Sequence, residues 1–406
     1  MAAALLAAVP ARAAVCTAAQ DYLVPGEHAS ISAAVAAITP TTLAGAVCIT
    51  VSNGTYAEQV TVQGFTNNGS SITIQALAGQ TPIISPPGGA TAAFVIKNAS
   101  VTIQNFTINA TNAMPYGVQS SSGYVAITTV TVNGASFIST AGMAISSYTT
   151  VSYSNITVQA GHGLYLDGTL DFVSDSQAQN ASASNYALYL LGATSNTFVG
   201  FQAINSLGQG ALLAYGANYN SIEQATFTGG VTGCAGAGRV GLVLTASSSN
   251  TITKSVLTGS VGNAQCGNGD GGDGGNGATL DTSSNYNTIS QSTMTGGAAG
   301  GTNAPGNVAA SGGKGLLLDG SSFNTVDRSK MTGNVGANQP TNSNWAGNGA
   351  DGAVFQANSN YNTVTLSTMI GGNAGNGTGS GDIGGRGGHG LYIVGSSSNS
   401  ITQSVM

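Results

Sequence analysis

The groups able to do chemistry in this chain are few and scattered. Three histidines, fourteen carboxylates and eight Lys or Arg are spread over 406 residues. Two of the histidines share one setting, Gly161-His162-Gly163 and Gly388-His389-Gly390. Cleaving a glycosidic bond needs two convergent carboxylates about 5 to 9.5 Å apart, and no Asp-Asp occurs anywhere in the sequence. Lys254 and Arg328 fall at equivalent repeat positions with Gln291 between them. They should therefore share one outer column, roughly 10 Å apart, facing solvent or an anionic sugar. A Gly-rich segment, residues 269–277, carries Asp270 and Asp273 in a frame suited to calcium. It occurs once, whereas such turns gain their affinity from tandem copies. The expectation is no catalytic set and no cofactor, with Ca2+ at Asp270 and Asp273 the one metal the sequence suggests.

What must position these groups is a repeat. Asn220, Asn250, Asn287, Asn324, Asn362 and Asn399 are each followed by Thr or Ser and then Ile or Val. The steps are 24 residues from Asn196 to Asn220, then 30, 37, 37, 38 and 37. A long fixed period marks a stacked solenoid, and a coil of about 24 residues suits three short strands joined by turns. The longer steps are the same coil with extra Gly-rich residues inserted at one point, after Gly229, Gly259, Gly296, Gly333 and Gly371. Those residues must project from one side.

Two apolar columns should then line the interior: Ile222, Ile252, Ile289, Val326, Val364, Ile401, and Phe227, Leu257, Met294, Met331, Met369, Met406. Burying each such side chain contributes roughly 1.5 to 3 kcal/mol. The asparagines need a different account, because a buried amide is costly unless both its donor and its acceptor are used. Stacked coils meet that demand with a ladder in which each amide bonds to the coils above and below. The phrase is therefore read as structural. His162 and His389 stand just before a repeat start, where Val240 and Lys314 stand in other coils, which argues for position rather than catalysis.

Composition agrees with one elongated domain. With 5% charged residues, 61 glycines and a formal charge of −6, the chain lacks both the charge of a disordered segment and a basic stripe for nucleic acid. Residues 1–15 read as a truncated secretory signal, residues 16–45 as a cap with a short helix over 31–38, and residues 46–406 as the solenoid, incomplete at its end. No other segment approaches the length of a membrane span. Four cysteines behind an export signal suggest disulfides. Cys16 and Cys48 flank the helix, and Cys234 and Cys266 lie in corresponding loops, which favours those two pairings. The implied location is secreted or at the cell surface, as a monomer or part of a longer chain. Trp345, on the Gly-rich ridge, and Tyr219, Tyr286 and Tyr361, each just before a ladder asparagine, are the side chains suited to stack on a sugar.

The phrase Gly-Leu-x-Leu-x-x-Ser-Ser-x-Asn-Thr-Ile, as in Gly315 to Val326 and Gly390 to Ile401, resembles right-handed parallel β-helix proteins of pectin-lyase-like fold. The opening Ser30 to Val35 and Gly54 to Val60 look like those of pectin methylesterases. The resemblance implies an all-β, right-handed parallel β-helix of three sheets. It does not imply an activity, since the fold hosts lyases, hydrolases, esterases, adhesins and autotransporter passengers. Against the polygalacturonases, the paired aspartates and the Arg-x-Lys are missing. The lyases' acidic cluster beside a basic residue is also missing, as are the esterases' later aspartates and arginine. The sequence therefore points to a stalk, adhesin-like or carbohydrate-contacting surface protein, its partner a polysaccharide or cell-surface glycan. The alternatives are a polysaccharide lyase or glycoside hydrolase, and an autotransporter-type passenger fragment.

Overall fold

The computed structural model describes residue 16 and residues 18–234, 236–264, 271–301, 309–338, 346–377 and 383–406. The expected signal segment therefore lies outside the described residues. The chain winds into three parallel sheets of 12, 14 and 12 strands among the described residues. One coil shows the rule: Leu316–Asp319 enters sheet one, Thr325–Asp327 sheet two and Lys330–Thr332 sheet three. Each strand pairs in register with its counterparts one coil away, as Thr288, Thr325 and Thr363 do. A three-residue strand has one inward side chain, so sheets two and three each contribute one core column per coil, while the four-residue strands of sheet one contribute two, as Leu316 and Leu318 do. Ile222, Ile252, Ile289, Val326 and Val364 form one such column, and Phe227, Leu257, Met294, Met331 and Met369 another; all are at most 2% exposed.

The helix Ile31–Ala37 closes the amino end. Ser30 caps it, and Glu58 accepts from the Ile31 and Ser32 amides at 2.9 and 2.8 Å. The glutamate of the esterase-like opening thus ties down a helix start. Ile31, Ala34 and Val35 bury their side chains in the core. Strand Gln20–Val24 already pairs with Val47–Val51, so sheet two begins ahead of the helix.

The asparagine ladder is formed as the sequence implied, and it is longer. Each Oδ1 accepts the backbone N–H of the equivalent residue one coil earlier: Asn250 from Asn220, Asn287 from Asn250, Asn324 from Asn287 and Asn362 from Asn324, all at 2.8 or 2.9 Å. Amide-to-amide bonds at 3.0 to 3.2 Å run alongside. Toward the amino end the column continues through Asn196 and Asp171 to Thr149. Two serine ladders, through Ser255, Ser292, Ser329 and Ser367 and through Ser284, Ser321 and Ser359, work the same way at the other bends.

The described residues of the Gly-rich insertions are hydrogen-bonded to one another. Each runs out in one arm and back in another, and the arms bond to arms of neighbouring coils. Gly275 N–H donates to Ser260 O, Gly297 to Gly275, Gly313 to Gly297, Asn334 to Gly313, Ala350 to Asn334, Gly372 to Ala350 and Gly388 to Gly372, at 2.7 to 3.0 Å. Glycines recur at every third position where arms touch: 259 and 262, 272 and 275, 297 and 300, 333 and 336, 385 and 388. A glycine at every third position, with the arms bonded chiefly to one another rather than within themselves, suits polyproline II geometry. The ridge is a two-layer lamina of such arms. A Cβ on Gly275 would collide with the Arg239 carbonyl, so Gly275→Ala should cost about 1 to 3 kcal/mol of local stability. Hydrogen exchange is the check: amides of residues 259–263 and 271–277 should lose protection while the Asn250 and Asn287 amides keep theirs.

Cys16 and Cys48 are free thiols, which corrects the expected bridge between them. Burial, and then the adjacent Cys16 side chain, push the Cys48 thiol up to about 12, so Cys48 is held protonated rather than poised for exchange. Cys234 is engaged, and its expected partner Cys266 lies outside the described residues.

Candidate functional site

Just before each rung of the asparagine ladder the backbone must reverse, and it does so through a left-handed residue. Ser100, Tyr124, Tyr148, Leu170, Ser195, Tyr219, Ser249, Tyr286, Phe323, Tyr361 and Ser398 all have φ between 52° and 61°. Their amides tie the column together. Tyr148 N–H donates to Thr169 O, Tyr219 to Ser248, Ser249 to Asn285, Tyr286 to Ser322, Phe323 to Asn360 and Tyr361 to Ser397, each one coil on. This conformation costs an L-residue roughly 1 to 2 kcal/mol and is the usual place for Gly or Asn. Seven of the eleven positions instead carry Tyr, Phe or Leu, between 43% and 67% exposed.

The result is an aromatic spine along one edge of the solenoid. Tyr286, Phe323 and Tyr361 stack face to face, with centroids 4.9 and 5.0 Å apart and planes within 8° and 5°. Tyr124 and Tyr148 stack at 5.1 Å. Beside the spine runs an outer ladder of alternating amide and hydroxyl groups. Asn218 Oδ1 accepts from Ser248 N–H, Asn285 Oδ1 from Ser322 and Asn360 Oδ1 from Ser397, while the Ser248 and Ser322 hydroxyl oxygens accept from Asn285 and Asn360 N–H. With their oxygens committed, these asparagines present Nδ2 donors outward.

A cleft of about 690 Å³ adjoins the spine, lined by Asp281, Thr282, Asn285, Asp319, Ser322 and Phe323 among others. Asp281 and Asp319 are register partners at the ends of adjacent sheet-one strands, with Gln356 next in line. Their Cα atoms are therefore roughly 4.8 Å apart. Asp281 Oδ1 is buried without a hydrogen-bond partner. This pair escaped sequence reasoning because its members lie 38 positions apart and are brought together only by register.

The other sequence candidates fall elsewhere. Lys254 and Arg328 do share one outer column, through Gln291, at a second left-handed corner. Each is paired at the surface, Lys254 with Glu223 at 2.8 Å and Arg328 with Asp327 at 2.7 Å. Trp345 and Asp270 lie outside the described residues. Asp273 Oδ1 accepts the Ser311 amide at 2.7 Å as a rung of the ridge. Among the described residues no three His, Cys, Asp or Glu converge as metal ligands.

His162 packs between Tyr186, Tyr165 and Tyr189, and its Nδ1 accepts the Tyr186 amide at 3.1 Å. Burial lowers its pKa to about 4, so it serves there as a neutral acceptor. His389 pairs with Asp351 at 3.0 Å on the ridge.

No protein-family model matches the sequence, and no curated protein matches it. Among solved structures it is similar to the DFA-IIIase from Arthrobacter chlorophenolicus A6 in complex with GF2, at 12% identity over 95% of this chain and 96% of that chain, TM-score 0.46. It is also similar to pectate lyase Pel9A, at 14% over 76% and 77%, TM-score 0.40. A mutant of the periplasmic alginate epimerase AlgG is similar at 10% over 90% and 83%, TM-score 0.40. The three registered parallel sheets, coil upon coil, make the fold of this chain a right-handed parallel β-helix.

Proposed function

We propose that this chain is an extracytoplasmic β-helix module that holds a polysaccharide along its aromatic spine. The observation carrying the reading is the column of seven large apolar side chains kept in solvent on strained backbone. Strain that burial does not offset is kept where a surface has work to do. Aromatic faces with a parallel row of amide donors and hydroxyls match a sugar, which offers apolar C–H faces and a rim of hydroxyl groups. The Ala/Leu-rich opening, residues 1–15, has the composition of an export signal, and no helix among the described residues is long and apolar enough to cross a membrane.

Co-sedimentation with insoluble cellulose, chitin, xylan and mannan tests it. At least one should retain the protein, and Tyr286→Ser/Phe323→Ser/Tyr361→Ser should weaken retention about tenfold or more. Equal retention of the triple variant would remove the spine from the function.

A second reading rests on the Asp281–Asp319 pair. Two aspartates on adjacent coils of one cleft supply the two carboxyl groups that a glycoside hydrolase needs. Asp281→Asn/Asp319→Asn should then abolish reducing-end release from the retained polysaccharide without lowering retention. If the unaltered protein releases no reducing ends, the module is a binder alone.

A further inference from the structure

The spine is interrupted in an informative way. Phe323 lies between Tyr286 and Tyr361 at 4.9 and 5.0 Å, so a stacked ring in this column takes one rung. One rung earlier the residue is Ser249, and the next ring beyond it is Tyr219. Tyr219 and Tyr286 have nearly the same backbone angle, 59° and 58°, and are 67% and 59% exposed. They project from one edge two rungs apart, roughly 10 Å. That is the separation Tyr286 and Tyr361 keep around the Phe323 ring.

The floor of this interval is polar. The Ser249 amide bonds to Asn285 O, and its hydroxyl has no partner in the protein among the described residues. Asn218 and Asn285 flank it with their oxygens used by the Ser248 and Ser322 amides, which leaves Nδ2 donors on either side. An aromatic ligand would use the two tyrosine faces and waste the donors. A pyranose ring uses both, because its two faces carry C–H groups and its edge carries hydroxyls. Charge selects further. The adjoining cleft carries Asp281 and Asp319, so an anionic sugar would meet carboxylates there.

We propose that the Ser249 interval is a subsite that sandwiches one neutral pyranose residue between Tyr219 and Tyr286. The proposal rests on the reading of the spine as a polysaccharide contact and gives it a defined position. A substitution that restores the missing ring should close the subsite while keeping the column intact. Ser249→Phe is that change, and Phe323 shows that the left-handed backbone at this column accepts the residue. The converse, Phe323→Ser, should open a second interval between Tyr286 and Tyr361.

Titration calorimetry with cellohexaose, xylohexaose, mannohexaose and chitohexaose is the experiment. At least one should bind the unaltered protein, Ser249→Phe should weaken that binding about tenfold or more, and Phe323→Ser should raise the number of sites from one to two. Ser249→Phe with undiminished affinity would overturn the subsite, yet leave the spine standing if the triple variant above fails to be retained. No binding of any of the four by the unaltered protein would overturn the subsite as a neutral-sugar site, whatever the polysaccharide retention shows.

Discussion

Asn287→Leu is expected to destabilise the protein by roughly 3 to 6 kcal/mol, because one change leaves several buried polar groups unpaired at about 1 to 3 kcal/mol each. Asn287 Oδ1 accepts both the Asn250 amide at 2.9 Å and Asn250 Nδ2 at 3.1 Å. Its Nδ2 donates to the Ser247 carbonyl at 3.0 Å and to Asn324 Oδ1 at 3.2 Å. Leucine matches the volume but replaces none of these, and the position is 1% exposed, so water cannot stand in. The loss should also show in the shape of the transition. A solenoid is held by nearest-neighbour interfaces, so a break in mid-column should split one urea transition into two. Asn399→Leu is the control. That residue accepts the Asn362 amide at 2.8 Å, while its own Nδ2 has no partner, and the loss there should be well under half as large. Equal effects at the two positions would mean the ladder is not what binds coil to coil.

The asparagine phrase was legible because a buried amide in a bend admits few alternatives, so the same residue is forced at each rung. The core columns were legible for the same reason, and Ile252, Ile289 and Val326 are where the period put them. The serine ladders follow that logic, and Ser255, Ser292, Ser329 and Ser367 repeat at the same steps as the asparagines. They went unread because serine is equally common on exposed turns here. The polyproline II lamina left no side-chain signal at all, since what it demands is the absence of a Cβ at every third position in arms that run in opposite directions. The aromatic spine was half visible. Tyr219, Tyr286 and Tyr361 sit before asparagines, but Tyr124, Tyr148 and Leu170 join the column only once the irregular early coils are put in register. Cys16 and Cys48 were brought together as expected and left unbonded. Chain position predicts proximity, and the bond itself needs a geometry that spacing does not encode.

The ladder's one carboxylate gives the second large effect: Asp171→Asn should stabilise the protein at neutral pH. Asp171 is 1% exposed, and its Oδ1 accepts the Thr149 amide at 2.7 Å. Its Oδ2 is buried without a partner. Elsewhere in the column that corner holds an Nδ2 donating to the carbonyl three residues before the rung below, as Asn196 does to Gly168 and Asn220 to Ala193. Asparagine at 171 would make the same bond to Ser146.

Burial raises the Asp171 pKa to about 7, outweighing the Thr149 hydrogen bond that lowers it. The folded state therefore holds a proton that the unfolded chain releases near pH 4. Its contribution is fully present below about pH 4 and is lost as pH rises through about 7. The difference corresponds to a penalty on the order of 4 kcal/mol at and above neutrality, which the asparagine removes. His162 runs the other way. Its pKa falls from 6.5 to about 4 on folding through burial, so its contribution is present above about pH 6.5 and lost as pH falls through about 4. Between pH 4 and 6.5 the two slopes oppose each other in the native sequence, and its stability should change little there. In Asp171→Asn only the histidine slope remains, so stability should drop on acidification through that window while exceeding the native value at pH 7.5. Urea midpoints at pH 4.5, 6 and 7.5 for both proteins decide it. A variant no more stable than the native chain at pH 7.5 would mean that Asp171 finds, when ionised, a partner that the ladder geometry does not provide.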